Sequence, residues 1–300
     1  MGTKAYPRIK NAVLLCLLLV GIQLGGGILT GLISQLAGTM QGMDVAGIAA
    51  VFEILVLVVG GISVLIPALI GLRKTKRPAA EVFRFHKVSA GLWGATAVLF
   101  IGLYILLSEL DNLMNFLLPM PEFIQGVFDM VMASPNFIVS LLFVAISPAI
   151  VEELLCRGLF LYGFQKNYSA RKAIIVSALL FGIIHLNPWQ FVSAFTIGLF
   201  SAWIALRSHS IFPSMAIHFV NNLLAVLFAQ FSELIPVSGF NTPAPNALVF
   251  QPIWLDIAGL ALTVLGIYLL RRRFPVLPPE PEPPTNNATL MEEADDQAPV

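Results

Sequence analysis

Apolar residues in this chain come in long runs broken by short polar intervals, and a run of about 20 is what a helix needs to cross the hydrocarbon core of a bilayer. Eight runs are legible, at roughly 12–37, 46–72, 89–108, 137–165, 173–186, 189–206, 211–231 and 253–270. The fifth is short, and Asn187-Pro188 directly behind it ends or bends its helix. Between the third and fourth runs, Phe116, Phe123 and Phe128 stand beside Pro119 and Pro121, a pattern that predicts an interfacial segment and not a crossing. The basic start, Met1 to Lys10, leads into apolar sequence that continues to Ala37 without a small-residue cleavage site, which predicts a first membrane helix in place of a removed leader. The expected fold class is therefore all-α: a polytopic transmembrane bundle of about eight spans. Its expected divisions are N-terminal helices and the interfacial segment over 1–136, a helical core over 137–231, an outer loop with the last membrane helix over 232–274, and a disordered, proline-rich, acidic tail over 275–300.

Composition agrees with a bilayer as solvent: 57% of the 300 residues are hydrophobic, 11% are charged and mean hydropathy is +0.85, where soluble domains carry about 25% charged residues. Nothing in it suggests a nucleic-acid partner. Net charge is zero, yet sixteen of the seventeen Lys and Arg fall in five segments: the N-terminus, Arg73 to Lys87, Lys166 to Lys172, Arg207, and Arg271 to Arg273. An even number of spans puts all five on one side, and the positive-inside rule makes that side the cytoplasm. The expectation is a multi-pass protein of the inner (plasma) membrane with both termini cytoplasmic. The intervening loops on the other side hold acidic residues such as Asp44, Glu109, Asp111 and Glu233 and no Lys or Arg. Cys16 and Cys156 lie inside apolar runs and read as small buried hydrophobes. Gly21 with Gly25, and Gly27 with Gly31, give small-xxx-small spacings that predict close helix packing on the first span.

Ionisable groups inside a span are expensive and mark function by default. Glu53 and Asp256 sit near the outer ends of their helices, from where they are expected to reach the interface. Glu152, Glu153, Arg157, His185, His218 and Asn222 remain, on three separate helices. Glu153 and Arg157 are four apart and share a face, which predicts an intrahelical ion pair, while Glu152 is rotated about 100° away and left free. Pro148, one turn earlier, is expected to disturb the helix and make room beside Glu152. Phe181 and His185, and likewise His218 and Asn222, are four apart and present one face each to a common interior. Each histidine taken alone reads as a satisfied core residue; a free carboxylate with two imidazoles and a carboxamide around one water is a hydrolytic constellation.

With these residues in place the sequence resembles the CPBP family of intramembrane endopeptidases, which includes type II CAAX prenyl proteases and the bacteriocin-processing, Abi-like group. The pattern of that family is EExxxR, FxxxH and HxxxN, here Glu152-Glu153 with Arg157, Phe181 with His185, and His218 with Asn222, within about Phe137 to Gln230. The resemblance makes 137–231 the catalytic core. It implies Glu152 as general base, His185 as a holder of the water, His218 and Asn222 as donors to the tetrahedral intermediate, and Glu153, Arg157 and Phe181 as support. The substrate it implies is a peptide or membrane protein presented from the cytoplasmic side or within the bilayer. No obligatory cofactor is expected. Glu152, His185 and His218 are the set that would hold a zinc ion if one is used, although HExxH and HxxEH are absent and Asn is a poor zinc ligand. Two rival readings stay open on the residues alone. One is a non-catalytic scaffold of the same fold that binds a membrane partner; the other is a transporter with a Glu152–Glu153 proton relay, although the sequence shows no internal repeat.

Overall fold

The computed structural model describes residues 5–39, 45–132, 136–231, 237–240 and 249–275. The acidic tail beyond 275 lies outside these residues, as do Asp44 and Glu233. Among the described residues every regular element is helical. The first is α1 (Ile9–Thr39), packed along α2 (Val45–Thr75), and a short α3 (Ala79–Phe83) leads to α4 (Ala90–Leu117). An amphipathic α5 (Glu122–Met132) occupies the stretch expected to lie at the interface. Then come α6 (Phe137–Ser140), α7 (Ser147–Glu153) and α8 (Leu161–Asn167), consecutive pieces of one helical rod joined by π-helical turns over Leu141–Ile146 and Leu154–Phe160. The chain ends in α9 (Ala170–Ile183), α10 (Pro188–Ser208), α11 (Phe212–Gln230) and α12 (Ile253–Arg273).

Among the described residues, seven helices are long and apolar enough to cross a membrane, one of them the whole rod Phe137–Asn167. The fifth expected span is α9, whose 14 residues reach only about 21 Å at 1.5 Å per residue. It nevertheless carries the chain from one end of the bundle towards the other. At its start, Ser169 caps the helix by accepting from Lys172 N; beyond its end, Asn187 caps α10 by accepting from Trp189 N and Gln190 N.

All five basic segments meet at one end of the bundle. Asn167 donates to Ala5 O at 2.7 Å, Lys166 pairs with Glu81 at 3.4 Å, and Arg84 donates to Gln165 Oε1 at 3.2 Å. Ile211 N donates to Arg84 O at 3.3 Å, and the Arg207 guanidinium lies 5.6 Å from the centre of the Phe274 ring. The other end is tied by a different network. Asn112 donates to Gly239 O and Val249 O, and Gln251 donates to Glu109, Ile105 O and Asp256. The chain is thus a multi-pass membrane protein with one basic end.

Two readings of the sequence need correction. The third span does not stop near 108; α4 continues to Leu117, so Glu109 and Asp111 are helical and not in a loop. The reason is that the last turns of α4 face polar partners within the protein, where an apolar surface is not required. Secondly, Gly21, Gly25, Gly27 and Gly31 face open space, with nothing within 4 Å of where a Cβ would stand. Close packing is instead made where α4 crosses α12: a Cβ on Gly266 would lie 2.5 Å from Leu99 Cα, and one on Gly102 2.4 Å from Thr263 N. One carboxylate oxygen of Glu53 is buried and has no hydrogen-bond partner among the described residues.

Candidate functional site

The polar positions are assembled by the rod Phe137–Asn167, and its two wide turns explain how. Pro148 stands in the first turn of α7 and has no N–H to offer Val144 four residues back. That carbonyl is met from another helix: Asn222 Nδ2 donates to Val144 O at 2.9 Å. The second wide turn follows Glu153, and its carbonyls also take side-chain donors. Ser177 Oγ donates to Cys156 O at 2.9 Å, and Arg84, buried at the basic end, donates to Arg157 O at 3.0 Å. The segment carrying Glu152, Glu153 and Arg157 is therefore anchored from α3, α9 and α11 at once.

Glu153 and Arg157 form an ion pair of 2.8 Å with both residues wholly buried. Two further contacts orient the guanidinium: it lies 4.0 Å from the centre of the Phe181 ring, and Gly198 on α10 leaves space for Nη2, where a Cβ would approach to 3.3 Å. Phe181 is the hub of the site. Its ring meets His185 edge-on at 5.0 Å and His218 edge-on at 5.4 Å.

Both imidazoles are fixed through Nδ1. His185 Nδ1 lies 2.7 Å from Phe181 O, and since a carbonyl only accepts, Nδ1 carries the proton and Nε2 is bare in the neutral ring. His218 Nδ1 lies 3.2 Å from Glu153 Oε1, which also receives Arg157. Sequence spacing had joined His218 to Asn222; its actual anchor is the glutamate of a different helix. His218 Nε2 then points towards Glu152, whose Oε2 is 4.0 Å away, buried, and without a hydrogen-bond partner among the described residues.

Asn222 is oriented at both ends of its amide. Asn221 Nδ2 donates to its Oδ1 at 3.2 Å while its own Nδ2 donates to Val144 O, which leaves one N–H uncommitted. Asn221 did not stand out in the sequence, because adjacent helical residues point in different directions and only four-residue spacings had been weighed.

These groups border a cavity of about 330 Å³ enclosed by α4, α9, α10 and α11, with Met120 and Phe128 of the interfacial stretch also in its wall. Phe181, His185, His218 and Asn222 line it. Glu152 stands at its margin beside His218 Nε2. Along α4 the wall runs from Tyr104 to Asn115, and on α10 it includes Trp189, whose Nε1 donates to Leu118 O at 2.5 Å. The cavity thus extends from the middle of the bundle towards the end away from the basic segments, where the sequence had suggested presentation from the basic side or within the bilayer. It also contains Asp111, hydrogen-bonded by Ser193, a pair that the sequence had placed in an outer loop and an unremarked helix.

The zinc set of the sequence reading does not converge. Among the described residues no three His, Cys, Asp or Glu side chains stand close enough to share one ion, and His218 reaches Glu153 and Glu152 through different nitrogens.

Comparison with known proteins adds one finding. No curated protein and no solved structure matches the chain. Residues 134–224, which hold all three motifs, match the family described as type II CAAX prenyl endopeptidase, Rce1-like. That segment, about a third of the chain, is what the protein shares with the Rce1-like type II CAAX prenyl endopeptidases.

Proposed function

We propose that the protein is an intramembrane endopeptidase in which Glu152 activates a water against a peptide bond held in the cavity. The observation that carries this reading is the unpartnered, buried Glu152 Oε2 at 4.0 Å from His218 Nε2, beside a cavity lined by His185 and Asn222. A gap of that size is too long for a direct hydrogen bond and leaves Glu152 Oε2 and His218 Nε2 each free to meet a different reacting atom, the water and the carbonyl oxygen.

In the proposed sequence, the water donates one hydrogen to Glu152 and the other to the bare Nε2 of His185. As its oxygen bonds to the carbonyl carbon, Glu152 takes the proton, a contribution of roughly 10²–10⁴ in rate. The developing oxyanion is met by the uncommitted N–H of Asn222 and by His218 through Nε2 in its protonated form, each donor being worth about 10²–10³. The C–N bond then breaks, and Glu152 passes its proton to the leaving nitrogen. Glu153 and Arg157 take no part in the transfer; they hold His218 and the rod in register. No step is routed through a metal, because the donors do not converge on one.

The convergence of the five basic segments supports a cytoplasmic placement of that end and of the N-terminus. The cavity then occupies the half of the bilayer away from the cytoplasm.

The reading is tested by quantitative proteomics of new peptide termini in membranes from cells carrying either the wild-type protein or Glu152→Gln. A set of termini present only with the wild type, with the uncut precursors accumulating in the variant, is expected. Identical termini in the two membranes would remove the protease reading.

A further inference from the structure

Asp111 has no part in the hydrolysis outlined above, yet it stands in the wall of the same cavity. It lies on the stripe of α4 that faces inward through Tyr104, Leu107, Ser108 and Asn115, and it is partly buried. Its partner is Ser193 of α10, whose hydroxyl donates to Oδ1. A serine supplies one hydrogen, whereas an ionised carboxylate has two oxygens and about four acceptor positions. The cavity lining contains no Lys or Arg, and among the described residues no ion pair to Asp111 is formed. Arg157 is committed to Glu153, and the remaining described Lys and Arg are gathered in the basic segments. A carboxylate in this setting lacks a counter-charge that the protein itself can provide, and uncompensated charge in a membrane interior is costly.

The surroundings fit a cation with donors to spare. Asn115 lies one turn further along α4 and Gln190 one turn before Ser193 on α10, so amide oxygens flank the carboxylate within the same cavity. Trp189 and Phe128 supply aromatic walls along which the methylene stem of a lysine or arginine would lie. A volume of about 330 Å³ accommodates such a side chain together with its backbone.

We propose that Asp111 is a specificity-determining residue: it receives a lysine or arginine side chain of the substrate in the half of the cavity away from the basic end. This rests on the protease reading for the identity of the ligand as a peptide, but the charge selectivity is measurable without turnover.

The probe is a randomised octapeptide pool, offered to full-length protein in nanodiscs of zwitterionic phosphatidylcholine, with retained peptides sequenced by mass spectrometry. Glu152→Gln protein is used so that bound peptides stay intact. Lys and Arg are expected to be enriched about tenfold over the input pool, the scale of one charge-assisted contact. Adding Asp111→Asn abolishes the enrichment, and adding Asp111→Lys turns it towards Asp and Glu. Retained peptides with the composition of the input pool would overturn the proposal, and this comparison needs no Asp111 variant to fold. So would an enrichment that Asp111→Asn leaves unchanged in protein that remains monodisperse. A parallel digestion by wild-type protein separates the two readings. Cleavage without charge preference removes the cation site and leaves the protease, while enrichment without any cleavage removes the protease and leaves the cation site.

Discussion

Replacing Arg157 by Met removes a guanidinium that touches three things at once: Glu153 at 2.8 Å, the Phe181 ring at 4.0 Å, and the space opened by Gly198. Methionine keeps much of the volume, so the cost is electrostatic. Breaking one partner of a buried ion pair typically costs about 3–5 kcal/mol, because the other is left charged in a low dielectric. Here Glu153 keeps His218 at 3.2 Å, which places the expected cost near the lower end, about 3 kcal/mol. Glu153→Gln should also destabilise, since Arg157 then faces a neutral amide. The double variant, which leaves neither charge, should recover part of the loss, with a coupling of about 2 kcal/mol. Equilibrium unfolding in mixed micelles of increasing SDS fraction measures all four proteins. Additive single-variant costs, with no recovery in the double, would refute the account of this pair as a mutually compensating charge unit.

Three other outcomes follow from the same structure. Asn222→Ala should lower kcat by about 10²–10³ through loss of an oxyanion donor; Asn221→Ala, which removes only the contact orienting that amide, should cost about tenfold, and an Asn221 variant as impaired as the Asn222 one would contradict the division of roles. Gly266→Ala should destabilise by about 1–3 kcal/mol, because its Cβ would meet the Leu99 backbone, whereas Gly21→Ala should be neutral in the same unfolding assay; equal effects would mean that the α4–α12 crossing is misdescribed. Burial, and then the charges of Arg84, His86 and Arg207, hold His209 below its ordinary 6.5. A depressed folded pKa means stability that is present above 6.5 and lost as pH falls through the folded value. His209→Asn, which tolerates the positive φ of 53°, should flatten thermal stability between about pH 7 and 5; an unchanged slope would exclude His209 as its source.

How much of this was readable in the sequence depended on whether local spacing alone fixed a contact. Glu153 with Arg157 was readable because four-residue spacing on a helix dictates the pair without knowledge of any other element. The gathering of basic segments was readable because the bilayer sorts charge by side. Asp111 was not, since an apolar-run criterion ends the helix near Ser108, whereas α4 continues to Leu117 with polar residues that line the cavity or bond to neighbouring segments. The tie between His218 and Glu153 crosses 65 residues of sequence and has no local signature. The glycine pairs of α1 misled for the complementary reason: small spacing permits close packing but says nothing of whether a partner is there. Pro148 was rightly expected to disturb its helix, and only the structure could say that Asn222 meets the carbonyl that this proline cannot serve.

The central claim is that Glu152 turns a water into the nucleophile. Its most direct test uses a substrate identified by the terminus comparison, purified with the protein into nanodiscs and digested in water enriched in ¹⁸O. One ¹⁸O should enter each new carboxyl terminus with the wild type, and Glu152→Gln should slow that incorporation by at least about 10²-fold while remaining folded. Incorporation by Glu152→Gln at the wild-type rate would contradict the account.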